Sequence, residues 1–258
     1  MIRIAAVGDV HYDRHPRKEM RAHFAALGDR ADLLLIAGDL TQAGTVEEAS
    51  ALVSDLSDVQ IPVVTVLGNH DFHSDQQEEI SDLLREAEIT VLEGQNATFD
   101  VHGIRVGVAG IKGFGGGFFG ACVTEFGERE TRSFAHHARV QAEILKSNLM
   151  ALDTEYRFAL THFAPVDGTL LGEKREIYPF LGSYLLAEAI DSSGADAAFH
   201  GHAHKGVERG VTPGGVPVRN VALNVIRHAY NIYTFEHKAA AQPTERQGGL
   251  DPAPPNSY

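Results

Sequence analysis

Five short clusters of Asp, Asn and His carry the chemistry this chain can do. In order they are Gly8-Asp9-Val10-His11, Gly38-Asp39, Gly68-Asn69-His70-Asp71, Thr161-His162 and Gly201-His202-Ala203-His204. Carboxylate oxygens, an amide carbonyl and imidazole nitrogens are donors for first-row divalent metals. Asp9 and His11 are two residues apart, and in extended backbone that spacing puts both side chains on one side, able to grip one cation. His202 and His204 repeat the spacing around Ala203. Neighbouring side chains point apart, so Asn69 can face a metal while His70 faces a substrate. Taken singly, each cluster has a plainer reading. Gly-Asp is common in turns, Asp39 suits a helix N-terminus, and a strand-end histidine such as His162 is more often a hydrogen-bonded structural one.

Each cluster follows an apolar run that reads as a buried strand: 3–7, 32–37, 62–67, 156–161 and 196–200. In an open α/β sheet, ligands bind outside the carboxyl ends of the strands. Five polar clusters on one edge therefore predict a single site with the composition of a two-metal hydrolytic centre. Helices are predicted at about 18–27, 45–57, 74–88, 131–152 and 183–191. Thr45 with Glu48, and Ser74 with Gln77, both have capping-box spacing, and Ile80, Leu83 and Leu84 form an inward face. The first third is a βαβαβ run, so its sheet is expected to be parallel. Residues 96–101 and 104–110 read as a hairpin, 163–181 as an irregular loop, and 205–237 as antiparallel strands ending at 231–236. One domain over 1–237 is expected, followed by a mobile tail at 238–258 that lacks apolar periodicity.

The 258 residues are 43% hydrophobic and 22% charged, ordinary for a globular domain. Cys122 is the single cysteine, so an internal disulfide is excluded and a reducing compartment fits. No signal-peptide pattern and no membrane-spanning run is present, and a cytoplasmic location is expected. The net charge of −13 argues against general nucleic-acid binding. It leaves room for a small phosphorylated substrate, because bound cations reverse the potential locally. An oligomer is compatible with these numbers.

The ordered set Asp9-Val10-His11, Gly38-Asp39, Gly68-Asn69-His70-Asp71, His162, Gly201-His202-Ala203-His204 resembles the calcineurin-like metallophosphoesterase family, within it the small bacterial-type branch similar to cyclic-nucleotide phosphodiesterases. The resemblance implies an α/β fold, a four-layer α/β/β/α sandwich of two mixed sheets. It implies two divalent metal ions, manganese, iron or zinc, with Asp9, His11 and His204 on the first, Asn69, His162 and His202 on the second, and Asp39 bridging. His70 is then the catalytic residue, and a hydroxide bridging the metals the nucleophile. Two carboxylates against two divalent cations leave such a centre about +2, which favours a phosphate anion.

The implied activity is hydrolysis of a phosphodiester, such as a cyclic nucleotide or other small phosphoester. The alternatives are a nucleotide-sugar or lipid pyrophosphatase on the same site, and a non-catalytic scaffold of the same fold. Where the protein-phosphatase branch has an Asp and an Arg, this chain has Gln42 and Ala43, which speaks against protein-phosphatase activity and leaves His70 without an evident partner. Asp71 is a candidate partner, and equally a helix cap. The glycine-rich stretch 112–120 reads either as a flexible flap whose Phe114, Phe118 or Phe119 stacks on substrate or as a loop packed on the domain. Lys174 and Arg175 read as a solvated charged loop, and His73, His136, His137, His200 and His228 as structural or exposed.

Overall fold

The computed structural model describes residues 1–236, so the tail expected to be mobile at 238–258 lies outside the described residues. The strands in chain order are β1 (Ile2–Val7), β2 (Leu33–Ala37), β3 (Val63–Val66), β4 (Thr90–Val91), β5 (Gln95–Val101), β6 (Ile104–Ile111), β7 (Gly117–Phe118), β8 (Ala121–Cys122), β9 (Tyr156–Thr161), β10 (Ala197–His200), β11 (Arg209–Val211), β12 (Pro217–Asn220) and β13 (Asn231–Phe235). The helices are α1 (Lys18–Ala25), α2 (Val46–Leu56), α3 (Gln77–Glu86), α4 (Arg129–Met150), α5 (Tyr178–Leu181), α6 (Tyr184–Asp191) and α7 (Leu223–Ile226).

Two mixed sheets stack face to face. One has the order β13-β1-β2-β3-β4 and the other β11-β12-β10-β9-β6-β5. As the βαβαβ pattern predicts, β1 to β4 pair in parallel, with Ala5 opposite Leu34 and Leu35 opposite Val64. Only the edge strand β13 runs antiparallel, against β1.

Alternation along each strand divides the core into layers. Ile2, Ile4, Ala6, Leu33 and Leu35 face the other sheet, where they meet Val106, Val108, Phe158, Leu160 and Phe199. Ala5, Val7, Leu34 and Ile36 face outward onto Phe24, Leu52, Ile80 and Leu84 of α1 to α3. The second sheet buries Ala109, Ala159 and Ala198 under Leu145 and Leu149 of α4 and Ile190 of α6. The result is the α/β/β/α sandwich. Strands apolar on both faces are what a helix-covered sheet requires.

The capping box of α2 forms: the Thr45 hydroxyl accepts the Glu48 amide at 3.4 Å, and the Glu48 carboxylate accepts the Thr45 amide at 3.4 Å. The predicted box at Ser74 does not. The Ser74 hydroxyl donates to the Ala43 carbonyl at 2.7 Å, and α3 begins three residues later, after Gln76. A tertiary acceptor thus outcompetes the local amide. The segment 163–181 is more ordered than an irregular loop, with 3₁₀ turns at Asp167–Leu170 and Arg175–Ile177 followed by α5.

Candidate metal centre

All five clusters emerge at the same edge, where the two sheets meet. Asp9 and His11 follow β1, and their amides donate to Gly38 and Asp39 carbonyls at 2.9 and 3.0 Å. The loop after β1 is therefore laced to the loop after β2. Asp9 and His11 converge through left-handed backbone, with φ of 54° and 42°, rather than through the extended backbone that their spacing suggests. Asp39 (φ 48°) and His202 (φ 69°) share this conformation. Such angles are costly for side-chain-bearing residues and persist where the surroundings over-determine them, often at functional sites.

The preceding glycines make this crowding possible. A Cβ on Gly68 would lie 2.1 Å from Asp39 Oδ1, and one on Gly201 would lie 2.2 Å from Asp9 Oδ2. Gly38 combines a φ of 77° with a His162 ring 2.7 Å from where its Cβ would be. These positions exclude any side chain because the Asp39, Asp9 and His162 side chains occupy the space.

Two groups of donor atoms result. Asp9, His11, Asp39 and His204 each place one within 4.8 Å of the others, and so do Asp39, His162 and His202. In the first group His204 Nε2 is 2.7 Å from Asp9 Oδ1, and 3.4 Å from His11 Nε2. Asp39 divides its carboxylate, with Oδ2 3.7 Å from His11 Nε2 and Oδ1 3.3 Å from His162 Nε2. It is the only member common to both groups. Asn69 joins the second, its Oδ1 2.9 Å from His162 Nε2.

The donor chemistry fits cations. His162 is fully buried, and its Nδ1 donates to the Ala37 carbonyl at 2.9 Å. That fixes the tautomer and leaves the Nε2 lone pair directed at Asn69 and Asp39 oxygens. Electron-rich atoms facing one another in a dry pocket need a positive charge between them. His202 is oriented likewise, donating from Nε2 to the Phe180 carbonyl at 3.2 Å, with Nδ1 left over. The Nδ1 of His11 is buried without a hydrogen-bond partner among the described residues.

Protonation of His202 and His11 agrees with this arrangement. Burial, with His162 adjacent, pushes His202 down to about 3, and burial also lowers His11. Both imidazoles stay neutral and keep a lone pair for a metal. The hydrogen bond to Asp9 raises His204. Burial opposes ionisation of Asp9, yet His204 and the nearby histidines hold its carboxyl below the usual range.

Around this centre lies a frame that sequence reasoning resolved only in part. Asp71 is not the partner of His70. Its carboxylate accepts the Gly68 amide at 2.7 Å, the Thr41 amide at 2.9 Å and the Thr41 hydroxyl at 2.6 Å, tying the second motif to the third. His70 instead donates from Nδ1 to the Gln42 carbonyl at 2.7 Å. Arg17 donates to the Val10 and His11 carbonyls at 2.7 and 2.5 Å, clamping the first motif. Nothing in the sequence distinguishes Arg17 from its polar neighbours.

His200, fully buried against Thr169 and the Gly201 carbonyl, is structural as expected. The glycine-rich stretch is a docked hairpin, not a free flap: Gly116 and Gly117 amides donate to Pro179 and Gly182 carbonyls. Phe114 packs on Phe134 and His137, Phe118 is buried, and only Phe119 of the three is exposed.

Several solved structures share the fold. Phosphopantetheinyl hydrolase from Mycobacterium tuberculosis superposes with a TM-score of 0.64 at 15% identity, covering 87% of this chain and 90% of that one. GAP50, the anchor in the inner membrane complex of Plasmodium, gives 0.56 at 13%, covering 86% and 72%. A hypothetical protein from Thermus thermophilus gives 0.51 at 16%, covering 85% and 75%. At these identities the likeness is one of fold. Among curated proteins none matches the sequence. Residues 2–206, from the first strand through the last ligand cluster, match the calcineurin-like phosphoesterase family, and the chain belongs to that family.

Proposed function

We propose that the chain is a metal-dependent phosphoesterase acting on a small phosphodiester. Asp9, His11, His204 and Asp39 would hold one divalent ion, and Asn69, His162, His202 and Asp39 a second. The observation that carries the reading is the split of Asp39 between the two donor groups. Four imidazoles with carboxylate and amide oxygens suit manganese, iron or zinc. When bound, two such ions supply a water of lowered pKa and offset phosphate charge.

The chain's own residues then have distinct tasks. Glycines 38, 68 and 201 let the ligands close around the centre. Asp71 and Arg17 fix the loops. His70, tethered through Nδ1–H by the Gln42 carbonyl, presents Nε2 to the leaving oxygen and gives it a proton from the doubly protonated imidazolium form. The scaffold reading is disfavoured because every ligand and His70 are in place. Exposed Phe180, Leu171 and Ile177, on the segment leading from His162 to the carbonyl that His202 meets, favour one secondary reading. In it the substrate has an apolar arm, as in a lipid or nucleotide-sugar pyrophosphate.

The test is metal analysis of the purified chain with turnover of bis(p-nitrophenyl) phosphate, cyclic nucleotides, dinucleotides and nucleotide-sugars. Two metals per chain, with activity lost in His70→Ala while metal is retained, support the reading. Two metals with no turnover across the panel overturn it.

A further inference from the structure

A cavity of about 1080 Å³, not lined by the metal-donor clusters, lies between the start of α1 and the run from α7 into β13. Four cations line it, Arg17, Lys18, Arg30 and Arg227, against one carboxylate, Glu19: a formal charge of +3 with the histidines neutral. The whole chain carries −13, with 22 Lys and Arg against 35 Asp and Glu, so this concentration runs against the composition. Met20, Leu223 and Ile232 add an apolar wall.

Two of the cations are already engaged. Arg17 clamps the Val10 and His11 carbonyls, and Arg30 donates to the Tyr230 hydroxyl at 3.2 Å. Lys18 and Arg227 make no ion pair or side-chain hydrogen bond among the described residues, and both are exposed. Arg227 ends α7 with φ 56°, in the left-handed conformation that glycine adopts without strain.

We infer that this cleft is a second anion site, which takes a phosphate-bearing small molecule, with the phosphates on Lys18 and Arg227 and the apolar part on Met20 and Leu223. The volume suits a ligand of nucleotide size, and the excess positive charge selects an anion. The cleft shares structure with the metal centre, because Arg17 lines one and holds the loop bearing Asp9 and His11 of the other. The phosphate could belong to the far end of the substrate or to a separate effector.

ADP serves as the probe, titrated calorimetrically into the full-length, metal-loaded protein and into Lys18→Ala/Arg227→Ala. Both side chains are exposed, so the thermal midpoint should hold within a few degrees. The expected result is a class of sites weakened about tenfold or more in the variant, and weakened by added salt in the wild type. Identical isotherms for the two proteins overturn the inference. This readout needs no turnover, so it stands or fails separately from the phosphoesterase reading. Kinetics separate the sources. If the cleft holds the substrate's far phosphate, kcat/KM for a diester bearing an extra phosphate falls about tenfold in the variant relative to bis(p-nitrophenyl) phosphate. If it holds an effector, that ratio is unchanged and ADP alters the wild-type rate but not the variant's.

Discussion

The Nδ1 nitrogen of His70 lies 2.7 Å from the backbone carbonyl oxygen of Gln42. A carbonyl only accepts, so Nδ1 carries the proton and Nε2 is the nitrogen left for substrate. The ring meets that of His11 edge-on, with centroids 4.5 Å apart, which sets it beside the first donor group. Gln42 stands where the phosphatase-type pattern has aspartate, and its main chain performs the orienting task. His70→Ala should therefore lower kcat by about 10²–10⁴-fold with both metals retained. Gln42→Ala keeps the carbonyl and should change kcat by no more than about threefold. A large loss in Gln42→Ala would mean that the side chain, not the carbonyl, orients His70.

The Asp71 carboxylate joins two loops that approach each other only in the folded chain. It accepts from Gly68, Leu40 and Thr41 amides and from the Thr41 hydroxyl, in a fully buried position. Each buried amide left without an acceptor costs about 1–3 kcal/mol. Asp71→Ala should accordingly destabilise by roughly 3 kcal/mol or more. It should also weaken metal affinity by about 10–100-fold, as loss of an outer-shell support does. Urea unfolding and metal titration of the same variant measure both. Unchanged metal affinity in a destabilised protein would reduce Asp71 to a purely structural residue.

Gly68→Ala and Gly201→Ala test the close approach of the ligands. Each new methyl would lie little more than 2 Å from a carboxylate oxygen of Asp39 or Asp9, so the carboxylate or the loop must shift. Gly68→Ala displaces the residue shared by both donor groups and should reduce the content of both metals. Gly201→Ala should chiefly reduce the one nearest Asp9. Neither change touches the core between the sheets, so circular dichroism should stay near wild type. Full metal occupancy in Gly68→Ala would contradict the geometry.

Strand positions and the convergence of the Asp, Asn and His clusters were legible because each cluster terminates an apolar run, and apolar runs joined by helical crossovers define a parallel sheet. The mode of convergence was not. Asp9 and His11 meet through left-handed turns laced to residues about thirty positions away, and spacing alone implied extended backbone. The glycines before the ligands read as turn formers, whereas three of them yield space to side chains from other loops. The link from Asp71 to Thr41 and the cationic cleft depend on groups distant in sequence, and Arg17, although only six and seven residues from the carbonyls it holds, sits in a polar stretch with no period to mark it. Local patterns did fail in one place, at Ser74, where the Ala43 carbonyl drew the hydroxyl away from the helix.

Glu93 supplies a pH test beside the metal-donor clusters, one that involves none of the proposed ligands themselves. Its carboxylate accepts the Leu67 amide at 2.7 Å, at the end of the strand that leads to Asn69. Burial pushes the carboxyl up to about 7, although that hydrogen bond and nearby Lys112 pull it down. Burial likewise lowers Lys112 against the pull of Glu93, so in both partners desolvation outweighs pairing. The folded value is raised above the ordinary one of 4.5. Below about pH 4.5 the group is protonated in both states and costs nothing. Between about 4.5 and 7 the unfolded chain ionises first, so stability falls as pH rises, by on the order of 3 kcal/mol in all. Above about 7 the loss is complete. Glu93→Gln keeps an acceptor for Leu67 and has no charge to bury. Relative to wild type, it should gain about 2–3 kcal/mol between pH 5 and pH 8, measured by urea unfolding of the chelator-treated proteins so that metal loss does not intervene. An equal difference at both pH values would show that Glu93 is solvated as well in the fold as in the unfolded chain.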